Sequence, residues 1–184
     1  MRQLRGTDLK RLHRTWKRQS STQVALLLEG VQSPFNVGAI VRTAAAFGVG
    51  RLYLVGGAIT PRNPKAQKTA MGTDRYLEVR EFTALAPALE QVKADGYRLA
   101  GLELAEDAIP MHELDLTADT CIAAGHEDRG LTAECLAACD VVTFVPQLGR
   151  VGSLNVATAT AIACYEVRRQ DWSRPGNFAE APAD

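Results

Sequence analysis

Val24-Ala-Leu-Leu-Leu28, running through Val31-Gln-Ser-Pro-Phe-Asn36-Val-Gly-Ala-Ile-Val-Arg42-Thr43, decides the fold. The first five residues are uniformly apolar, the pattern of a short strand buried on both faces. A proline-containing loop follows, then an apolar helix predicted over Val37–Phe47. The same passage from strand through loop to helix recurs twice. Thr120–Ala124 leads into Gly125-His-Glu127-Asp-Arg-Gly130-Leu, and Val141–Val145 leads into Pro146-Gln-Leu-Gly-Arg-Val-Gly-Ser153-Leu-Asn155-Val. Further strands are predicted at Arg51–Val55, Tyr76–Val79 and Arg98–Leu102, and further helices at Ala84–Ala94, Thr132–Ala138 and Asn155–Arg169. This alternation predicts an α/β fold, a parallel sheet flanked by helices on both faces. Open parallel sheets put ligands at the carboxyl ends of their strands, where all three loops fall.

The 184 residues suit one α/β domain rather than two. The division predicted is a basic amphipathic helix over 1–20, the main domain over 21–170 and an irregular tail over 171–184. No apolar run approaches the roughly 20 residues of a membrane span, and the basic start lacks the apolar core of a signal peptide. These features predict a soluble, cytoplasmic protein without membrane contact. Cys121, Cys135, Cys139 and Cys164 lack paired zinc-site spacing and read as buried, reduced thiols. His13, His112 and His126 lie far apart, so no metal is expected.

The formal net charge is zero, yet the charges are segregated. Arg2, Arg5, Lys10, Arg11, Arg14, Lys17 and Arg18 crowd the start, and Arg51, Arg62, Lys65, Lys68, Arg75 and Arg80 follow the first loop. Acidic residues concentrate between Glu81 and Asp140. A polyanion would feel such a one-sided field despite the cancelling total. At about 100° per residue, Leu9, Leu12 and Trp16 share one side of the N-terminal helix and its cations the other, with Thr7 or Asp8 as N-cap. Such a helix is either a solvated surface element or an arm that tracks phosphates.

The loops that define common enzyme classes are missing: there is no GxGxxG after a strand, no GxxxxGK[ST], no HExxH and no GxSxG. What remains is a set of polar residues with two readings each. Asn36 can cap a helix or face a ligand. Arg42, inside an apolar helix, either snorkels to solvent or reaches a pocket mouth or an anion. Glu127 either complements a helix N-terminus or belongs to a site. Ser153 and Asn155 suit capping, though capping needs only one of them, and flanking glycines suit a loop wrapped around a polar small molecule.

The three motifs, in this order and spacing, resemble those of the SPOUT superfamily of RNA methyltransferases in its SpoU or TrmH branch, over about Thr22 to Gln170. The resemblance implies a parallel α/β domain with a C-terminal deep trefoil knot, a homodimer, and S-adenosyl-L-methionine as cofactor. By position, the cofactor would lie among Leu102, Gly125, Val145 and Leu154. Asn36, Arg42, Glu127, Ser153 and Asn155 would occupy the catalytic and substrate-handling positions. The implied reaction is 2′-O-methylation of an RNA ribose. The tRNA-acting members, which modify a guanosine in the D-loop region, are favoured because rRNA-acting relatives often carry a further N-terminal domain. The alternatives are rRNA methylation and an RNA-binding protein without activity. Asp128-Arg129, Gln147 and Ala157 depart from residues common in the family, Gln147 standing where Met is frequent.

Overall fold

In the computed structural model, which describes residues 3–174, seven strands form one parallel sheet in the order β3-β2-β1-β6-β4-β7-β5. The strands are β1 (Val24–Glu29), β2 (Arg51–Val55), β3 (Glu78–Glu81), β4 (Arg98–Leu102), β5 (Ile109–Pro110), β6 (Thr120–Ala124) and β7 (Val141–Phe144). The α-helices are α1 (Gly6–Arg18), α2 (Pro34–Ala46), α3 (Pro64–Ala70), α4 (Leu85–Ala94), α5 (Ala133–Ala138) and α6 (Val156–Trp172). Side chains alternate across a strand, and both faces are covered. Leu26, Leu28, Leu52, Leu54 and Ile122 pack with Val37, Ile40, Ala66, Ala163 and Val167 of α2, α3 and α6. Ala25, Leu27, Tyr53, Val55 and Cys121 pack with Ala88, Val92 and Cys135 of α4 and α5. Cys121, Cys135 and Cys164 are buried and no cysteine is in a disulfide.

Insertion of β6 between β1 and β4 places the late strands beside the first one. Leu28 pairs with Ala124, and Gly101 with Ala123. The loops that follow β1 and β6, nearly a hundred residues apart in sequence, therefore leave the sheet as neighbours.

Several elements depart from expectation. The N-terminal helix begins at Gly6, with Arg5 as an N-cap whose side chain does not bond the helix N–H groups; Asp8 lies in the first turn, where its charge complements the dipole, and neither Thr7 nor Asp8 is the cap. α2 begins three residues early, because Pro34 fits the first helical turn and Ser33 caps it. The third strand is Glu78–Glu81 rather than Tyr76–Val79. Toward the sheet edge a strand needs fewer apolar residues and carries charge, and Tyr76 ends a 3-10 turn instead. α3 and the two-residue β5 were not anticipated. α6 extends to Trp172, two residues into the region read as irregular tail; the rest of that tail, from 175, lies outside the described residues. Among the described residues no helix is long and apolar enough to cross a membrane.

Arg168 ties the C-terminal helix to the core and is 5% exposed. Its guanidinium donates to the carbonyls of Phe47 (2.7 Å), Thr22 (2.6 Å) and Gly48 (3.0 Å) and meets the Asp171 carboxylate at 3.3 Å. Asp171, fully buried, also accepts from Ser21 and Thr22 ahead of β1. A substitution that leaves these groups unpaired is costly, because their desolvation is no longer offset. Arg168→Met is expected to lower the unfolding free energy by about 3 kcal/mol, read as a reduced urea midpoint with an unchanged slope.

Candidate active site

Two carboxylates are exchanged between the neighbouring strand ends. Glu29, the last residue of β1, accepts from the Thr132 N–H (2.9 Å) and hydroxyl (2.7 Å) at the start of α5. Glu127, in the loop after β6, accepts from the N–H groups of Gln32 (3.0 Å) and Ser33 (2.9 Å) and from the Asn36 amide nitrogen (2.9 Å) at the start of α2. Helix N-termini carry unpaired N–H donors and a partial positive charge, so each carboxylate clamps the opposite loop. Partial burial alone would raise the Glu127 pKa. The donors from Gln32, Asn36 and Ser33 outweigh it and hold the group at about 2, well below the ordinary value.

The third loop joins through Asn155. Its side-chain oxygen caps α6, accepting from the N–H groups of Ala157 (2.9 Å) and Thr158 (3.2 Å). Its amide nitrogen donates to Asn36 Oδ1 at 3.0 Å. A continuous chain therefore runs Glu127, Asn36, Asn155, and the carboxylate decides which way the Asn36 amide faces. Asn36 is free for this because Ser33 Oγ, not Asn36, caps α2, accepting from the Asn36 N–H at 3.3 Å.

Beside this chain, at the carboxyl ends of β4, β6 and β7, is a cavity of about 270 Å³. That approaches the volume at which small-molecule sites begin, about 300 Å³. Leu102, Val145 and Leu154 give it apolar wall, and Gly125, Glu127 and Ser153 also line it. The glycines of the loop after β6 are required by its own packing. A Cβ on Gly125 would collide with the backbone of Gly130 and Leu131, and Gly130, at φ +67°, presses against the Glu103 carboxylate. Glu103 accepts from the N–H groups of Leu131 (2.9 Å) and Leu104 (3.0 Å), and so fastens the cavity wall. Sequence reasoning passed over Glu29 and Glu103. The signal available was a carboxylate at or just beyond the carboxyl end of an apolar strand.

Of the nine residues singled out from sequence, Leu102, Gly125, Val145, Leu154, Glu127 and Ser153 line the cavity. Asn36 and Asn155 form the chain next to it. Arg42 stands apart: it is exposed, and its guanidinium lies 3.0 Å from Met71 Sδ, just after α3. Glu127 holds Asn36 and two backbone N–H groups. The cationic cluster also divides. Arg51 and Arg80 are engaged by Glu78 and Asp95. Arg42, Arg62, Lys65, Lys68 and Arg75 are exposed and, among the described residues, form no ion pair. Arg75 lies over the ring of Tyr76, itself 61% exposed.

A parallel sheet with a cavity at the carboxyl ends of β4, β6 and β7, walled by loops clamped to one another, defines an α/β protein with a small-molecule site at its carboxyl edge. The chain belongs to the SpoU rRNA Methylase family, whose model matches residues 23–165. It is 34% identical over 147 residues to the tRNA (guanosine(18)-2'-O)-methyltransferase of Escherichia coli, a match covering 80% of this chain and 63% of that protein. It is likewise 34% identical over 154 residues to the 23S rRNA (guanosine-2'-O-)-methyltransferase RlmB of Acinetobacter baylyi, covering 83% and 62%. Among solved structures, the AdoMet-bound rRNA methyltransferase from Sinorhizobium meliloti superposes with a TM-score of 0.75 at 28% identity, covering 80% of this chain and 56% of that one. The chain thus spans less than two thirds of the length of these three relatives.

The lowered pKa of Glu127 has a definite sign in stability. The carboxylate's contribution is complete above the ordinary Glu value and is lost as pH falls toward about 2. Glu127→Gln should therefore unfold about 2 kcal/mol more easily at pH 7. The gap to wild type in urea titrations should close as pH is lowered through the interval between those two values.

Proposed function

We propose that this chain is an S-adenosyl-L-methionine-dependent RNA ribose 2′-O-methyltransferase, acting on a guanosine in the D-loop region of tRNA. The observation that carries the reading is the meeting of three sequence-distant loops through Glu127, Asn36 and Asn155 beside a cavity of cofactor scale. The cavity fits the cofactor's chemistry: apolar walls at Leu102, Val145 and Leu154 suit the adenine, and a buried, unpartnered oxygen of Gln147 suits one of its donors. Leu102, Gly125, Val145 and Leu154 would hold it. The similarity to both a tRNA and an rRNA enzyme supports RNA as substrate. We carry over from the family the C-terminal trefoil knot, the homodimer, the cytoplasmic location and independence of metal. Among the described residues no group of three or more His, Cys, Asp or Glu side chains could hold a metal ion. Ile162 and Tyr165 on α6, 39% and 49% exposed, are apolar surface that a second copy would cover. The division into an arm over 1–20, a methyltransferase domain over 21–170 and a tail belongs to the same reading.

S-adenosyl-L-methionine supplies an electrophilic methyl group; the chain must position a ribose and accommodate one proton. With the cofactor bound, the ribose oxygen would take the methyl group, S-adenosylhomocysteine would be the leaving group, and the hydroxyl proton would pass to solvent. Ser153, between the cavity and Asn155, would orient the ribose, while Glu127 and Asn155 hold Asn36 in one orientation. Arg42 lies on the side of α3 and the unpaired cations. A guanidinium remains protonated in water, so its role is to anchor an RNA phosphate and steady negative charge developing on oxygen.

Labelled methyl transfer to undermodified tRNA and rRNA, followed by nucleoside mapping, tests the reading. Label in a tRNA 2′-O-methylguanosine is the expected result. Label in rRNA alone overturns the substrate, and absence of cofactor binding overturns the activity. Arg42→Ala is expected to abolish turnover while cofactor affinity stays within a few-fold of wild type, measured calorimetrically; equal loss of both would mark Arg42 as structural.

RNA binding should be electrostatic, since α1 presents Lys10, Arg11, Arg14, Lys17 and Arg18 to solvent, and the unpaired cations around α3 extend the field. Affinity should fall steeply between about 50 and 200 mM salt. Removal of residues 1–18 should flatten the slope of log affinity against log salt, and an unchanged slope would remove the arm from the interface.

A further inference from the structure

Among the described residues, Gln147 Oε1 is a buried side-chain oxygen without a hydrogen-bond partner. Buried polar groups are ordinarily satisfied, and an unsatisfied one costs the desolvation of that group. This oxygen belongs to a residue that lines the cavity, in the loop that leaves β7, together with Phe144, Val145 and Leu154. Phe144, Val145 and Leu154 have apolar side chains, and the donor-bearing side chains of the lining, Ser153, His126 and Arg129, make no hydrogen bond to that oxygen. Of the carboxylates lining the same cavity, Glu127 and Glu103 are occupied by backbone N–H groups, and Asp128, like them, is an acceptor rather than a donor. An acceptor in the cavity lining that no protein donor satisfies is suited to a ligand carrying an N–H or O–H donor at that point.

We propose that Gln147 is a cofactor-binding residue whose side-chain oxygen accepts a hydrogen bond from an N–H or O–H group of S-adenosyl-L-methionine. The inference rests on the assignment of the cavity to that cofactor. Gln147 holds the ligand rather than the reacting atoms, so its effect falls on binding. The free protein bears the desolvation of the oxygen and the bound form recovers it. Replacement by an apolar residue of similar size therefore has opposite effects on the two states.

Gln147→Met keeps the volume nearly constant and removes the acceptor; Gln147→Ala removes it without adding bulk. The two variants and wild type are titrated calorimetrically with S-adenosylmethionine and S-adenosylhomocysteine, and each is melted with and without ligand. We expect both variants to bind each ligand about tenfold more weakly. The melting temperature of free Gln147→Met should equal or exceed that of wild type, while its ligand-induced rise shrinks. Binding by Gln147→Met within twofold of wild type would overturn the inference. So would weakened binding in Gln147→Met alone, which indicates a steric effect, or a matching drop in the stability of the free protein, which indicates a structural role. If wild type binds neither ligand, the cofactor assignment itself fails and this inference with it; wild-type binding unaltered by the substitutions removes only Gln147.

Discussion

The exchange of Glu29 and Glu127 across the β1 and β6 ends is the constraint on which the site depends. Each carboxylate leaves one loop and satisfies donors at the helix start after the other. Parallel pairing of β1 with β6 is what makes the exchange possible, because it sends both chains out of the sheet in the same direction, side by side. Helix N-termini supply donors that would otherwise need water. The loops are consequently braced by charge-assisted bonds, which are shorter and stronger than neutral ones. Asn155 then attaches the third loop to this frame through Asn36.

The site divides between a fastened wall and an open approach. The wall is set by strand ends, by the close contact of Gly125 with Gly130, and by Glu103 holding Leu131. Its shape is determined largely by backbone, which suits a small ligand of constant form. The approach is different in kind: Arg42, Lys65, Lys68 and Arg75 are exposed, and Arg51 and Arg80, close in sequence to some of them, are neutralised by Glu78 and Asp95. Unpaired cations on a surface act over a Debye length of about 8 to 10 Å and attract a polyanion without fixing it.

Much of this was legible in the residues. The predominantly apolar runs at 24–28, 51–55 and 120–124 read as strands buried on both faces, and each is a strand to within a residue. The Gly-containing loops after β6 and β7 line the cavity, and the Pro-containing loop after β1 joins them through Asn36. The less apolar elements were harder to read. Glu78–Glu81, near the sheet edge, is charged and half solvated, so hydropathy placed the strand two residues early. α3, rich in lysine and only seven residues long, has a pattern indistinguishable from a basic loop until Ala66 and Ala70 are seen packed beneath it. Arg168, an arginine near a helix end in sequence, is buried in the fold among the carbonyls of Thr22, Phe47 and Gly48.

By itself the sequence determined the fold class, the three loops and the polar residues within them, because strand burial, turn chemistry and motif spacing are local properties written in consecutive residues. Only the tertiary structure decided what those residues touch. Whether Asn36 caps its own helix or bridges two other loops depends on Ser33 taking the cap and on Glu127 arriving from a strand 91 residues away. Whether Gln147 is satisfied depends on which groups the fold places around it. Such facts are set by strand order, and strand order is a long-range pairing that no short window of sequence contains.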